Sequence, residues 1–360
     1  TSYSPWVDAA KSCATHQVAQ TRTKTVTTTP YVWNSTQHAW VLGSVAKKVT
    51  TETQMRMMNA SEVAACKARS SYCGDRIWGA TRVETSVAIG RCEFPLGAKT
   101  AYLASMSSTA DALAAGSLTA GPVVLNQKSG LSNATRAYLL ELKKQGLEKV
   151  FLLGGSGVLD NSVASQVSAL GLPVGRLAGS DRFGTAVAIA RHQFPNGFSK
   201  VYVTDGIGSN GLGSPDAVVG SVLTGGPILF GSKVAPMTAD TRSLVVGKAT
   251  VQLGGNALKG FRAGSTLAGA DRFATATKIA AAAKNSATRD TVYLANGIAF
   301  VDAVAGGELT DGTMLLTQKD TLPTITCTYL HSSGAKRVVA LGGIGAVSQK
   351  VLSQARSCLR

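Results

Sequence analysis

Apolar residues recur at helical spacing in three related stretches of the chain, each after a short apolar segment and a glycine. The stretches are residues 76–90, 176–190 and 266–280. In the second, Phe183, Val187 and Ala190 lie at positions i, i+4 and i+7, the pattern of one buried helix face. Each stretch predicts a strand end, a turn and a helix start. Repetition at a period of about a hundred residues is the strongest pattern in the sequence.

The same order of elements follows each stretch. An apolar strand leads to a helix that opens with an aspartate, and a second strand closes with a lysine seventeen residues later. These residues are Asp111, Asp216 and Asp302, and Lys128, Lys233 and Lys319. Another helix and strand lead to a glycine doublet. Short apolar strands that alternate with helices predict an α/β fold with parallel sheets.

The repeats divide the chain into four segments. We expect domains at 1–75, 76–172, 173–263 and 264–360, and the three repeats have the size of single domains. Segment 1–75 differs from the rest, because residues 16–58 are rich in Thr, Val, Tyr and Trp with rough alternation. This predicts a β-hairpin or small sheet with a turn at 33–36. A short helix is expected at 5–14 and a second from 59 to 67.

Composition narrows the class of protein. The chain has 360 residues, of which 44% are hydrophobic and 16% charged, so it can bury sizeable cores. No apolar run approaches the ~18–20 residues that a membrane span needs. The net charge of +16 predicts an anionic partner: nucleic acid, an acidic membrane surface or an acidic polymer. The positive charge is dispersed without interleaved aromatic residues, which disfavours nucleic acid.

The six cysteines form an even set without metal-ligand spacing. They are Cys13, Cys66, Cys73, Cys92, Cys327 and Cys358. Their clustering near the two ends predicts local disulfides and an oxidising, extracytoplasmic location; the alternative is six free thiols in a cytosolic protein. Cys327 with Cys358 is the expected pair, and the other four leave three pairings open. A chain that starts at Thr1 fits prior removal of a signal peptide.

The repeated residues resemble a known family. The pattern RLxGxDRxxTAxxIA, the DAL or DAV helix start, the strand PILF and the LGG turn are similar to the cell-wall-binding repeat 2 family, which occurs in threes on surface proteins of Gram-positive bacteria. The resemblance covers about 76–360. It implies Toprim-like, Rossmann-like α/β modules packed as a pseudo-trimer that attaches non-covalently to an anionic wall polymer. Thr81 and Thr266 depart from the pattern, so the three sites need not be equivalent.

Basic residues at helix starts and strand ends are the candidate ligand contacts. Arg82, Arg182 and Arg272 lie in the first turn of a helix, where free N–H groups and the helix dipole favour phosphate, and Arg176 leads the second copy. The three lysines stand at strand carboxyl ends, where open α/β sheets bind ligands. In the alternative interpretation the lysines are merely solvated, and the arginines pair with carboxylates that fix one repeat against the next.

The acidic residues are expected to be structural. Asp181 and Asp271, and the three helix-opening aspartates at 111, 216 and 302, are predicted helix caps or ion-pair partners. No metal site is predicted, because true Toprim enzymes need a DxD that this sequence lacks. No cofactor is predicted either. The triplet Gly206, Gly208 and Gly211 does not run directly into a helix, as a dinucleotide site requires, and is expected to be a surface loop.

These observations predict a secreted, non-catalytic protein of the cell surface. Basic grooves between its modules would hold an anionic secondary wall polymer of the teichoic-acid type. Two alternatives stay open: a wall-associated hydrolase or transferase with a site near 206–216, and an adhesin that binds a host or surface protein through residues 1–75.

Overall fold

The computed structural model describes residues 1–12, 17–59, 61–62, 72–108, 110–208, 211, 213–284, 290–309 and 312–359. The chain forms two compact units, residues 1–68 and residues 69–360. The described elements of the first unit are, in order, β1 (Ser2–Tyr3), β2 (Val7–Ser12), β3 (Gln17–Thr28), β4 (Tyr31–Asn34), β5 (Ala39–Leu42) and β6 (Ala46–Met57).

An antiparallel sheet built on β3 organises the first unit. β6 pairs with β3 along its whole length, from Gln17 opposite Met57 to Thr28 opposite Ala46. β1 and β2 therefore share the other edge of β3, and β4 and β5 form a second hairpin. The described residues thus bear out the expected β-rich segment.

Two local expectations for this unit need correction. The helix expected at 5–14 is wrong, since Val7–Ser12 is a strand: the long open edge of β3 offers backbone partners that outweigh the local preference of the alanines. The turn lies at 35–38, two residues later than expected, because Asn34 Oδ1 accepts the N–H groups of Thr36 and Gln37 at 3.0 Å. The helix start near 59–62 is present at residues 61–62, and its expected continuation lies outside the described residues.

The second unit contains the three repeats. The first repeat comprises β7 (Arg76–Ile77), α1 (Arg82–Glu93), β8 (Thr100–Ser105), α2 (Ala110–Ala114), the 3₁₀ helix η1 (Ala115–Ser117), β9 (Val123–Asn126), α3 (Asn133–Lys144), β10 (Lys149–Leu153) and α4 (Asn161–Ala169). The second comprises β11 (Val174–Leu177), α5 (Arg182–Gln193), β12 (Lys200–Asp205), α6 (Pro215–Gly220), β13 (Ile228–Gly231), α7 (Ala239–Val245) and β14 (Ala249–Leu253). The third comprises β15 (Ser265–Leu267), α8 (Arg272–Lys284), β16 (Thr291–Asn296), the 3₁₀ helix η2 (Phe300–Glu308), β17 (Gly312–Thr317), α9 (Thr324–Ser333), β18 (Arg337–Leu341) and α10 (Gln349–Ser357).

Each repeat holds a four-stranded parallel sheet, as the sequence predicts for an α/β fold. The strand orders are β11-β10-β8-β9, β15-β14-β12-β13 and β7-β18-β16-β17. The outer strand of each sheet comes from another repeat: β11 completes the first sheet, β15 the second, and β7 the third. The chain therefore links its repeats in a closed cycle through backbone hydrogen bonds.

Helix packing follows the same cycle. α1 of the first repeat packs on η2 of the third, α5 on α2 of the first, and α8 on α6 of the second. One continuous apolar core includes residues of all three repeats, such as Leu113, Val218 and Val304. At its centre, small residues of each repeat meet: a Cβ added to Gly307 would lie 2.9 Å from the Cα of Gly116 and would overlap Ser221.

The disulfides link neighbouring elements, as expected. Cys327 and Cys358 form the predicted pair, which ties α9 to the residue after α10, with a Cα–Cα distance of 5.4 Å. Cys73 pairs with Cys92 of α1, one of the pairings that the sequence left open. Cys13 and Cys66 lie outside the described residues.

Enlarging the central glycines tests the contact among the repeats. Gly307→Ala or Gly116→Ala forces atoms of neighbouring repeats apart, and should lower the free energy of unfolding by about 1–3 kcal/mol. Gly157→Ala is the matched control, because an added Cβ there meets nothing within 4 Å. Urea denaturation of the three variants measures the difference. Equal stability of Gly307→Ala and Gly157→Ala would contradict the central packing.

A buried carboxyl makes the packing between the third and first repeats depend on pH. Glu308 is 2% exposed at the end of η2, and its Oε2 accepts the N–H of Val123 of the first repeat at 2.8 Å. Burial raises the pKa of Glu308 well above its ordinary value of 4.5; the hydrogen bond from Val123 opposes the shift and the charge of Glu93 adds to it. The folded protein thus holds a proton that the unfolded chain releases.

Stability should therefore fall as pH rises above about 4.5 toward the raised pKa, by about 1.4 kcal/mol per pH unit from this group. Glu308→Gln keeps an oxygen acceptor for Val123 and cannot ionise, so it should remove that slope and be more stable than the parent at neutral pH. Glu148→Gln, at an exposed carboxylate, should retain the slope. Denaturant titrations across this pH range measure the slope of the unfolding free energy for each variant. An unchanged slope in Glu308→Gln would disprove the assignment of this slope to Glu308.

Candidate functional site

The three repeated arginines hold the loops that follow the first long strand of their own repeats. Nη1 of Arg82 donates to Met106 O at 2.9 Å, and Nη1 of Arg272 to Gly297 O at 2.6 Å. Nη1 of Arg182 donates to the carbonyls of Gly206 and Gly211 at 2.9 and 2.7 Å. A guanidinium has five N–H donors, and the hydrogen bonds that these three arginines make to described residues use Nη1 alone.

The helix starts around these arginines have one common construction. Asp181 Oδ1 accepts Gly184 N–H at 2.8 Å and Asp271 Oδ1 accepts Ala274 N–H at 2.7 Å, which caps α5 and α8. Thr81, which replaces the aspartate in the first repeat, caps α1 in a capping box with Glu84. In every repeat the N–H of the turn glycine donates to the threonine six residues later, at 3.0–3.2 Å.

The helix-opening aspartates lie beneath the glycine doublets. A Cβ on Gly342 would lie 2.8 Å from Asp302 Oδ2, and Gly154 and Gly254 approach Asp111 and Asp216 more closely still. All three glycines have φ near +90°, a conformation that suits glycine. The N-cap of α6 is Ser214, whose hydroxyl donates to Asp216 at 2.8 Å, so Asp216 is not itself the cap.

These aspartates and arginines attract each other across the repeat boundaries. Burial raises the pKa of Asp111, Asp216 and Asp302 above the ordinary value, and an arginine from another repeat opposes each shift. The pairs are Asp111 with Arg182, Asp216 with Arg272, and Asp302 with Arg82. The cycle seen in the sheets therefore recurs in the electrostatics.

Among the described residues, two open grooves can be traced along these boundaries. Groove 2/3, of about 470 Å³, lies between the second and third repeats and is lined by Lys233, Asp216, Asn256, Asp271, Arg272 and Phe300 among others. Groove 3/1, of about 540 Å³, lies between the third and first repeats and is lined by Trp78, Thr81, Arg82, Met106, Asp302 and Ile344 among others. Both lie at the carboxyl ends of parallel strands, the usual ligand edge of such sheets.

The predicted lysines are not placed alike. Lys233 lines groove 2/3, half-exposed, with Nζ 3.7 Å from Oδ2 of the buried Asp205. Lys319 Nζ lies 3.9 Å from Asp320 Oδ2, and Lys319 does not line groove 3/1. Lys128 is exposed two residues after β9. The structure thus brings one predicted lysine, Lys233, together with one predicted arginine, Arg272.

Arg176 binds the backbone of the glycine turn. Its Nη1 and Nη2 donate to the carbonyls of Gly154 and Leu159 at 2.7 and 2.9 Å, and Arg76 likewise reaches Gly342 O at 2.8 Å. Thr266 occupies this position in the third copy and cannot do so. Gln252, opposite Thr266 in the sheet, instead donates to the carbonyls of Gly254 and Asn256 at 2.9 and 2.8 Å.

Gln252 was not among the residues predicted from sequence, and the substituted position 266 was the signal that could have found it. Gln252→Ala should lower the free energy of unfolding by about 1–2 kcal/mol, because it leaves two turn carbonyls without their donor. Adding Thr266→Arg to Gln252→Ala restores the donor found in the other repeats and should recover most of the loss. Thermal denaturation of both variants tests this, and failure of the arginine to rescue would contradict the equivalence of the two donors.

Neither a membrane span nor a metal cluster is found in the described part of the chain. None of its helices is both long and apolar enough to cross a bilayer. Its His, Cys, Asp and Glu residues form no group of three or more that could hold a metal ion.

Three α/β repeats with grooves along their boundaries define a modular binding protein. The sequence matches the family described as Cell wall binding domain 2 at residues 76–164, 176–258 and 266–352. The chain belongs to this family, with three tandem copies of its domain.

Two individual proteins are similar to parts of this chain. The chain is 27% identical over 296 residues to the N-acetylmuramoyl-L-alanine amidase LytC of Bacillus subtilis, a match that covers 78% of this chain and 58% of LytC. It thus spans little more than half the length of that relative. It is also 29% identical over 76 residues to an uncharacterized protein of Pyrococcus abyssi, covering 21% of this chain and 23% of that protein.

Two solved structures from Clostridium difficile share the fold. Cwp6 superposes with a TM-score of 0.69 at 19% identity, covering 96% of this chain and 66% of that one. Cwp8 superposes with a TM-score of 0.68 at 18% identity, covering 100% of this chain and 63% of that one. At this identity the likeness concerns the fold, and it agrees with the mixed α/β architecture.

Proposed function

We propose that this chain attaches a secreted protein to the bacterial cell wall without catalysis, by binding an anionic secondary wall polymer of the teichoic-acid type in basic grooves between its modules. The observation that carries the proposal is groove 2/3, where Lys233 of the second repeat and Arg272 of the third line one open groove. Lysine supplies a flexible point charge and arginine several donors, which together suit a phosphodiester or carboxylate.

The two aspartates that line groove 2/3 are engaged within the protein, and Asp205, which does not line it, lies with Oδ2 3.7 Å from Lys233 Nζ. Asp271 is engaged as a helix cap, and Asp216 lies under Gly254 with Ser214 as its hydrogen-bond donor. Burial raises the pKa of Asp216, which disfavours its charged form. The net charge of +16 favours approach of a polyanion from a distance.

We propose further that the modules, taken as 76–172, 173–263 and 264–360, act as one pseudo-trimeric block of Toprim-like units. The closed cycle of shared strands and the meeting of Gly116, Ser221 and Gly307 support this arrangement. A rigid block presents its grooves at fixed separations, so weak contacts to one long polymer combine at high effective concentration. The two described disulfides support a location outside the cytoplasm.

Hydrolysis is the rival function, since LytC is named an amidase. The chain covers 58% of LytC, and the family that matches this chain is a binding domain. The loop at 206–216 supplies the carbonyls of Gly206 and Gly211 to Arg182, which gives it a structural task. Binding is therefore the function that we assign.

Retention on purified walls tests the proposal. The full chain should sediment with intact walls, be released as salt screens its charges, and fail to sediment once the anionic polymers have been extracted. Equal retention on extracted walls would refute the polymer as the ligand.

A charge reversal tests the groove itself. Lys233→Glu should weaken wall binding by about fivefold to tenfold, because it removes one attraction and adds a repulsion. The matched control is Lys200→Glu at the amino end of β12, which changes the net charge equally at the opposite edge of the sheet. If both reversals weaken binding to the same extent, attraction is due to net charge and groove 2/3 is not the site.

A further inference from the structure

Groove 3/1 differs from groove 2/3 at several equivalent positions. Trp78 stands where the third repeat has Ala268, and Met106 where it has Gly297. After the glycine doublet, Ile344 replaces Asn256 of the second repeat. Lys319, the counterpart of Lys233, does not line the groove. Groove 3/1 thus has apolar side chains from two repeats at positions where the other copies have Ala, Gly or Asn, and no lysine lines it as Lys233 lines groove 2/3.

The apolar residues of groove 3/1 face solvent. Trp78 is 57% exposed, and Ile344 of the other repeat is 70% exposed. The indole lies beside the glycine turn of the third repeat: a Cβ added to Gly343 would lie 3.8 Å from Trp78 Cε3. At the equivalent place in groove 2/3 the corresponding contact is with the small Ala268. An exposed indole beside polar groups offers a flat apolar surface to a ligand.

The polar groups of groove 3/1 retain hydrogen-bonding capacity. Among the described residues none donates a hydrogen bond to the half-buried carboxylate of Asp302, whereas the equivalent Asp216 receives one from Ser214. Within the described part of the chain, the one hydrogen bond that Arg82 donates runs from Nη1 to Met106 O. The Asp302 carboxylate, which accepts no hydrogen bond from the described residues, and the Arg82 guanidinium thus line the same groove as the Trp78 indole.

We propose that groove 3/1 binds a neutral pyranose ring, with an apolar C–H face of the sugar on Trp78 and its hydroxyls hydrogen-bonded to Asp302 and Arg82. A sugar ring matches both parts of the groove, because it has an apolar face and hydroxyls that both donate and accept. An isolated phosphate has no apolar face and would leave the indole uncovered. The inference rests on the proposed function, in that the ring belongs to a wall glycan.

Tryptophan fluorescence can isolate this site. The other tryptophans, Trp6, Trp33 and Trp40, lie in the first unit, so replacing them by phenylalanine in the full chain leaves Trp78 as the only indole. Methyl β-glucopyranoside and N-acetylglucosamine are the probes, and glycerol is the control for hydroxyls without a ring. We expect a saturable change in emission with at least one sugar and none with glycerol.

Saturation-transfer NMR with the same sugars on the unsubstituted chain gives a second measurement if the triple variant folds poorly. Trp78→Ala should weaken sugar binding about tenfold, and Trp78→Phe should retain most of it. Asp302→Asn, which keeps the size of the side chain, should also weaken it. Trp40→Ala removes a comparably exposed indole elsewhere and should change nothing. No response to either sugar, or equal binding by Trp78→Ala, overturns the inference.

Wall binding separates this inference from the proposed function. Retention that depends on Lys233 but not on Trp78, with no sugar response, would leave the anionic-polymer proposal standing and reject the sugar site. If the chain binds sugar through Trp78 but does not bind intact walls, the sugar site in groove 3/1 is supported and the proposal of wall-polymer binding is rejected. If Trp78→Ala reduces retention on intact walls but not on extracted ones, the ring belongs to the extractable polymer rather than to the peptidoglycan.

Discussion

The exchange of strands between repeats is the constraint on which the second unit depends. A single repeat supplies three strands of its own sheet, and the fourth comes from elsewhere in the chain. The first two sheets borrow from the residues that follow, while the third borrows β7, which lies before the first repeat's own helices. An unpaired strand edge can pair with further strands. In each sheet the borrowed strand covers one edge of the repeat's own strand, which is β10, β14 or β18.

Placement of the grooves follows from that closure. Each borrowed strand ends in the glycine turn that starts the next arginine helix, so this helix arrives at the carboxyl edge of the sheet that borrowed the strand. The aspartate of one repeat then faces the arginine of another, as Asp216 faces Arg272. Equivalent grooves thus share a frame of exchanged strands, glycine turns and an aspartate of one repeat near an arginine of the next. The side chains at its rim differ, with Asn256 in groove 2/3 and Ile344 in groove 3/1.

Much of this could be predicted from sequence where the cause is local. Helical spacing, capping residues and the fixed distance between aspartate and lysine placed the helices and strands of the repeats, because those signals act within a few turns of chain. The strand at Val7–Ser12 was missed, since its pairing with β3 is decided across the sheet. Gln252 and the different surroundings of Lys233 and Lys319 depend likewise on contacts between distant segments.

The position of β7 has a consequence for biosynthesis. Arg76 hydrogen-bonds to Gly342, 266 residues further along, so the third sheet receives its outer strand from a segment that leaves the ribosome long before its partner. Closure of the unit must await synthesis of the third repeat, and contacts of such long range slow folding. An open array of repeats could gain or lose a copy at either end. In this chain the number of repeats is constrained, because deletion of the third repeat would also remove β18, the strand with which β7 pairs.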